Sequence, residues 1–118
     1  MKESQALTSF AALSQETRLA IVRLLVKAGP VGVPAGEVAD AVKVSASNVS
    51  FHLKELERTG LIEARREARS IIYSADYDAL RDLIGFLMKD CCGGRPEICA
   101  PVLTETRCRP AKPSKALV

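Results

Sequence analysis

Apolar residues recur along the chain first at helical spacing, then in alternation, then at helical spacing again. The pattern turns on residues 44–59, VSASNVSFHLKELERT, where Val49, Leu53 and Leu56 fall at i, i+4 and i+7, the one-sided stripe of a helix seated on a small core. Ser45 can cap that helix. The opposite face must point outward. It carries Ser47, Asn48, Ser50, Phe51, His52 and Lys54, short hydrogen-bonding side chains and one cation suited to phosphates and base edges in a major groove. Residues 34–42 read as a second short helix with Pro34 at or near its start, and Lys43-Val44-Ser45 is a tight joint. Two short helices so joined, the second offering polar groups at its N-terminal end, predict a helix-turn-helix.

Residues 4–13 predict a short amphipathic helix with Leu7, Phe10, Ala11 and Leu13 on one side. Ser14-Gln15-Glu16-Thr17 reads as a capping box with Ser14 as N-cap, opening a helix to about Ala28 that buries Leu19, Val22, Leu25 and Val26 and stops at Gly29-Pro30. Residues 31–34 form a short extended connection. Gly60, at a left-handed position, ends the presented helix. Beyond it the period changes to that of strands, over 61–67 and 69–74, with a turn near Glu67 to Arg69. A β-hairpin directly after a helix-turn-helix defines a wing, and Arg65, Arg66 and Arg69 at its tip are placed to reach the sugar-phosphate backbone or the minor groove.

Asp76 caps a last long helix running to about Asp90, with Leu80, Leu83, Ile84, Leu87 and Met88 in one broad apolar stripe. Packing on the core would account for that stripe. A dimer seam shared with the N-terminal helix accounts for it better, because one module reads only a few bases whereas a two-fold dimer sets two recognition helices one DNA turn apart. The expected fold class is therefore α+β, mainly helical: a winged helix-turn-helix of about five helices and one β-hairpin wing, homodimeric through its terminal helices.

At 118 residues and 47% apolar content the chain suits one domain with a modest core. Aromatic residues, at 4%, are too few for a surface that stacks single-stranded bases. No apolar run approaches the roughly 18 residues of a membrane span, and the N-terminus lacks the apolar core of a signal peptide, so a cytosolic protein without a membrane partner is expected. The net charge of +3 resides in residues 105–118, where Glu105 stands against Arg107, Arg109, Lys112 and Lys115; residues 1–104 balance. Bulk charge is therefore silent on nucleic acid, and the inference of double-stranded DNA rests on pattern.

The chain from about Leu7 to Asp90 resembles the ArsR/SmtB family of metal-responsive transcriptional repressors. The likeness is carried by Leu13-Ser14-Gln15-Glu16-Thr17-Arg18-Leu19 with Ile21 to Leu25, by Ser47-Asn48-Val49-Ser50-Phe51-His52-Leu53-Lys54-Glu55-Leu56, and by Gly60-Leu61-Ile62 with the basic wing to Tyr73. It implies a cytosolic homodimer, not an enzyme, that releases operator DNA when a metal or metalloid binds. Two departures matter. The Cys-x-Cys pair that arsenic sensors of the family carry before the recognition helix is absent from Gly36-Glu37-Val38-Ala39-Asp40. The Asp and His ligands of its zinc sensors are also missing, because His52 is the sole histidine.

Four cysteines in a cytosolic chain point to metal or redox chemistry before structural disulfides. Cys91 and Cys92 are adjacent, with Cα atoms about 3.8 Å apart, below the roughly 4.4 Å at which disulfides begin. They suit two thiolates on one soft ion. Gly93-Gly94 permits a chain reversal and Pro96 stiffens the return, so Cys99 can close over the pair. Three thiolates fit a trigonal As(III) or Sb(III) inducer, whereas Zn(II) prefers four ligands. Residues 1–92 are thus expected to bind DNA and dimerise, and residues 93–118 to form a metalloid-binding segment with a flexible, basic, Pro-rich tail.

Cys108 is the candidate fourth ligand for a zinc, cadmium or lead sensor, but it lies in that tail, where ordering costs roughly 1 to 2 kcal/mol per residue. A thiol redox switch is a further alternative. So, from a different class, is a thiol-based metalloid carrier or small reductase, although no anion loop or acid-base pair flanks the cysteines. For DNA the expected contacts are Ser45, Ser47, Asn48, Ser50, Phe51, His52, Lys54, Arg65, Arg66 and Arg69. His52 could instead hold its helix in place, and Phe51 could meet a thymine methyl or pack under the wing.

Overall fold

The computed structural model describes residues 1–89, which include the compact unit Met1–Leu87. The expected boundary between residues 92 and 93 lies outside them. Five helices and three strands follow in the order α1 (Glu3–Leu13), α2 (Glu16–Ala28), β1 (Val33–Pro34), α3 (Ala35–Val42), α4 (Ala46–Thr59), β2 (Ile62–Glu67), β3 (Ser70–Ala75) and α5 (Tyr77–Met88). The strands form one antiparallel sheet in the order β1-β3-β2, with Val33 opposite Tyr73 and Arg65 opposite Ile72. The winged helix-turn-helix is thus present. The extended stretch ahead of α3 proves to be a third strand laid on the hairpin.

That third strand depends on Gly32. Its φ is +81°, and a Cβ there would lie 2.7 Å from both the Tyr73 carbonyl oxygen and Ile72 Cγ2. Only a residue without a side chain lets β1 come so close to β3.

The core gathers Ile21 and Leu25 of α2, Val38 of α3, Val49, Leu53 and Leu56 of α4, and Leu61, all essentially without solvent contact. Burial of these aliphatic side chains is the main term holding the helices to the sheet. The stripe expected on α4 is therefore the buried one.

One helix, α2, turns differently from expectation. α2 buries Ile21, Val22 and Leu25, while Leu19 and Val26 stay 46% and 41% exposed. The inward row at 18, 21, 22 and 25 keeps helical spacing, and Leu19 and Val26 lie to one side of it. The N-cap of α2 is Gln15, whose Oε1 accepts from the Arg18 N–H at 2.9 Å, whereas the Ser14 hydroxyl donates to the Ala11 carbonyl and closes α1. In α1 the inward face is Ala6, Ser9 and Ala12, and Leu7 and Phe10 face out. Small residues let α1 approach its neighbours closely, leaving its larger apolar face uncovered within one chain.

α5 starts where expected. Asp76 Oδ1 accepts from the Ala79 N–H at 3.0 Å. Leu83 is buried against the core, but Leu87 is 64% exposed. Among the described residues no helix is long and apolar enough to cross a membrane.

Candidate nucleic-acid interface

The joint between α3 and α4 is compact because Lys43 adopts left-handed backbone, φ 62° and ψ 44°. Ser45 follows in extended conformation, and its Oγ accepts from the Asn48 N–H at 3.3 Å and lies 3.4 Å from Ser47 Oγ. This cap satisfies one of the free N–H groups of the first turn. The turn holds no acidic side chain, so its remaining N–H groups and the positive end of the helix dipole face outward unopposed, an arrangement that favours phosphate. Ser45, Ser47, Asn48, Ser50, Phe51 and Lys54 are all exposed. The helix brings them to one surface, anchored from beneath by Val49, Leu53 and Leu56.

His52 stands apart from that group. It is half-buried, and its Nδ1 is shut from solvent with no hydrogen-bond partner among the described residues. Burial, and then the charge of Arg18 on α2, hold its pKa below the ordinary value of 6.5. Half-burial sets His52 back from the exposed groove-facing group, and the backbone hydrogen bond that would let it hold α4 finds no partner for Nδ1 among the described residues. Phe51, 62% exposed, meets the imidazole edge-on with ring centroids 5.5 Å apart. The following turn carries an ion pair, Arg58 to Glu55 at 2.7 Å, and that hydrogen bond holds the Glu55 carboxyl below its usual range.

The wing turns through Ala68, φ 56°. Arg66 and Arg69 project from it exposed and without an ion pair among the described residues. Arg65 behaves otherwise. Its Nε donates to Glu67 Oε2 at 2.7 Å, its Nη2 to the Val31 carbonyl at 2.6 Å and its Nη1 to the Pro30 carbonyl at 3.4 Å. Instead of reaching outward with the other two, it ties the wing back to the turn after α2.

One residue in this surface, and the role of another, escaped sequence reasoning. Arg18 was legible only as part of a motif; the available signal was its place on the inward row of α2, three residues before Ile21. The anchoring by Arg65 had no local signal, since its carbonyl partners lie 34 and 35 positions away.

Cys91, Cys92, Cys99 and Cys108 lie outside the described residues. Among the described residues no group of three His, Cys, Asp or Glu side chains could hold a metal ion.

Comparison with known proteins agrees with this geometry. The helix-turn-helix domain family matches residues 13–65. The HTH-type transcriptional regulator YgaV of Escherichia coli (strain K12) is 35% identical over 88 residues, 75% of this chain and 87% of that protein. The structure of an ArsR-like transcriptional regulator from Rhodococcus sp. RHA1 superimposes with a TM-score of 0.65 at 25% identity, covering 90% of this chain and 96% of that one. A homodimeric winged helix-turn-helix DNA-binding domain from Mycobacterium bovis shares the fold with a TM-score of 0.61 at 23% identity, covering 90% of this chain and 88% of its own.

Proposed function

This chain belongs to the ArsR family of winged helix-turn-helix transcriptional regulators, DNA-binding proteins and not enzymes, and from that membership we propose a specific role. It acts in the cytoplasm as a homodimeric repressor of a metalloid-resistance operon and leaves its operator when As(III) or Sb(III) binds Cys91, Cys92 and Cys99. Membership removes the carrier and reductase readings.

The observation that carries DNA binding is the exposed polar face of α4 and its cap, Ser45, Ser47, Asn48, Ser50, Phe51 and Lys54, standing on a buried apolar stripe, with Arg66 and Arg69 exposed on the wing. Its capped first turn offers backbone N–H groups to a phosphate, and Ser47, Asn48 and Ser50 offer hydrogen bonds to base edges. Dimerisation is supported by the uncovered apolar faces of α1 and α5 and by the homodimeric Mycobacterium bovis neighbour. The inducer is argued from the donor set, three thiols within nine residues, which matches a trigonal metalloid. Cys91 and Cys92 follow α5 closely in sequence, so ligand binding there would act on the helix that sets the spacing of the two recognition helices. A coupling of about 1 to 3 kcal/mol per site is enough for a roughly 5- to 150-fold loss of affinity.

The test is fluorescence anisotropy of the reduced protein on duplex DNA from upstream of its own coding sequence, titrated with arsenite and with zinc. Release by arsenite that disappears in Cys99→Ser is expected. Release by zinc alone would replace the metalloid site with a four-ligand site that includes Cys108. Absence of DNA binding in every condition would overturn the repressor reading.

A further inference from the structure

Two side chains from opposite sides of one connection end on adjoining stretches, the last turn of α2 and the turn that follows it. Asp76 is the single residue between β3 and α5, and its N–H donates to the Leu61 carbonyl at 3.0 Å, so α5 leaves the sheet with only one residue of connection. On the α5 side, the Tyr77 hydroxyl donates to the Val26 carbonyl at 2.9 Å, with Leu25 O at 3.4 Å. On the wing side, the Arg65 guanidinium holds the Val31 and Pro30 carbonyls. Those four carbonyls belong to the end of α2 and the turn that follows it. Between the two pins lies an open groove of about 390 Å³, lined by Pro30, Glu63, Arg65, Ser74, Asp76 and Tyr77. The start of α5 and the face of β2 therefore do not pack on each other there, and side-chain packing cannot by itself set the angle at Asp76.

The geometry points to Tyr77 and Arg65 as a pair of positioning residues that fix α5 and the wing to a common anchor, residues 25–31, and so set where Arg66 and Arg69 meet DNA. The inference rests on the DNA-binding reading above for its consequence, but the joint itself does not. Carbonyl oxygens at a helix end are unsatisfied by the helix and readily accept such donors. The fork of a guanidinium holds two carbonyls and a carboxylate in one fixed planar geometry, whereas a lysine presents its donors from a single point on a flexible stem. A change in the direction of α5 would pull on the turn through Tyr77 and reach the wing through Arg65. Displacement of the wing would reach α5 by the same path in reverse.

The experiment compares full-length wild type with Tyr77→Phe, Arg65→Met, Arg65→Lys and the double variant Tyr77→Phe/Arg65→Met. Asp82→Asn, exposed on the same helix but outside the groove, is the control. In ¹H–¹⁵N spectra without DNA, Tyr77→Phe should shift the amides of residues 65–71 and the Arg65 Nε–H signal, and Arg65→Met should shift those of residues 77–80. Asp82→Asn should leave the wing signals in place. Shifts confined in each variant to residues beside the substitution would overturn the proposal.

On promoter DNA, Tyr77→Phe and Arg65→Met should each bind roughly three- to tenfold more weakly, Arg65→Lys should match Arg65→Met, and the double variant should be no weaker than the worse single one. Full affinity in Arg65→Lys would show that charge and not the fork matters; multiplying losses in the double variant would show two independent contacts. Either would overturn the pairing. Failure of the wild type to bind any duplex would count against the repressor reading alone, since the spectra decide the joint without DNA.

Discussion

Arg18 on α2 and His52 on the recognition helix α4 are close enough for the arginine's charge to disfavour the imidazolium, and each keeps a nitrogen shut from solvent without a hydrogen-bond partner among the described residues. The same guanidinium also acts on Glu55, one turn further along α4. The charge of one cation on α2 thus reaches two side chains of the helix whose outer edge is offered to DNA. The aim of that outer edge depends on α2 as well as on the residues it carries.

Burial, and secondarily Arg18, favour the neutral imidazole, so the folded pKa of His52 lies below its ordinary value of 6.5. Between those two values the unfolded chain binds more protons than the folded one. The contribution of His52 is therefore complete above pH 6.5, is lost as pH falls through the window, and levels off below the folded pKa. Urea midpoints between about pH 7.5 and about pH 5 should fall more steeply for wild type than for His52→Gln. Glu55, whose carboxyl is held low by its hydrogen bond to Arg58, acts only at more acidic pH. Equal slopes in the two proteins would place the effect on another group.

Glycine positions separate by geometry. Gly32→Ala places a methyl 2.7 Å from the Tyr73 carbonyl at a φ of +81°, and should cost about 1 to 3 kcal/mol in denaturant unfolding. Gly36→Ala, inside α3 with nothing within 4 Å of the added carbon, should be neutral or stabilising by up to about 1 kcal/mol. A neutral Gly32→Ala would mean that β1 does not approach β3 as described.

The wing and the recognition helix should differ in what they lose. Arg66→Ala and Arg69→Ala are each expected to weaken binding alike on operator and unrelated duplex, and to reduce the dependence of log K on log salt by roughly 0.9 per phosphate contact removed. Asn48→Ala should instead narrow the gap between operator and unrelated DNA. A salt slope unchanged in both arginine variants would remove the wing from the interface.

Leu87, 64% exposed on α5, and Leu7, 61% exposed on α1, contribute little to the core of one chain. Leu87→Glu and Leu7→Glu should leave the monomer fold intact while raising the dimer dissociation constant at least about tenfold, read by sedimentation. Unchanged dimers in both would place the seam elsewhere.

The amino-acid sequence by itself determined the five helices, the two hairpin strands and their order. Ser45, Gly60 and Asp76 act on backbone groups a few residues away, and the stripe of Val49, Leu53 and Leu56 follows from helical period alone, so these features were legible without a partner. The polar face from Ser47 to Lys54 followed from the same period. Tertiary structure decided the rest. It chose Ala6, Ser9 and Ala12 over Leu7 and Phe10 as the inner face of α1, because close approach of two helices rewards small side chains. It added β1 to the sheet through the clearance at Gly32. It also drew Arg65 to Val31 and Tyr77 to Val26, across 34 and 51 positions. Contacts of that kind depend on which surfaces meet when the core closes, and no local spacing carries that information.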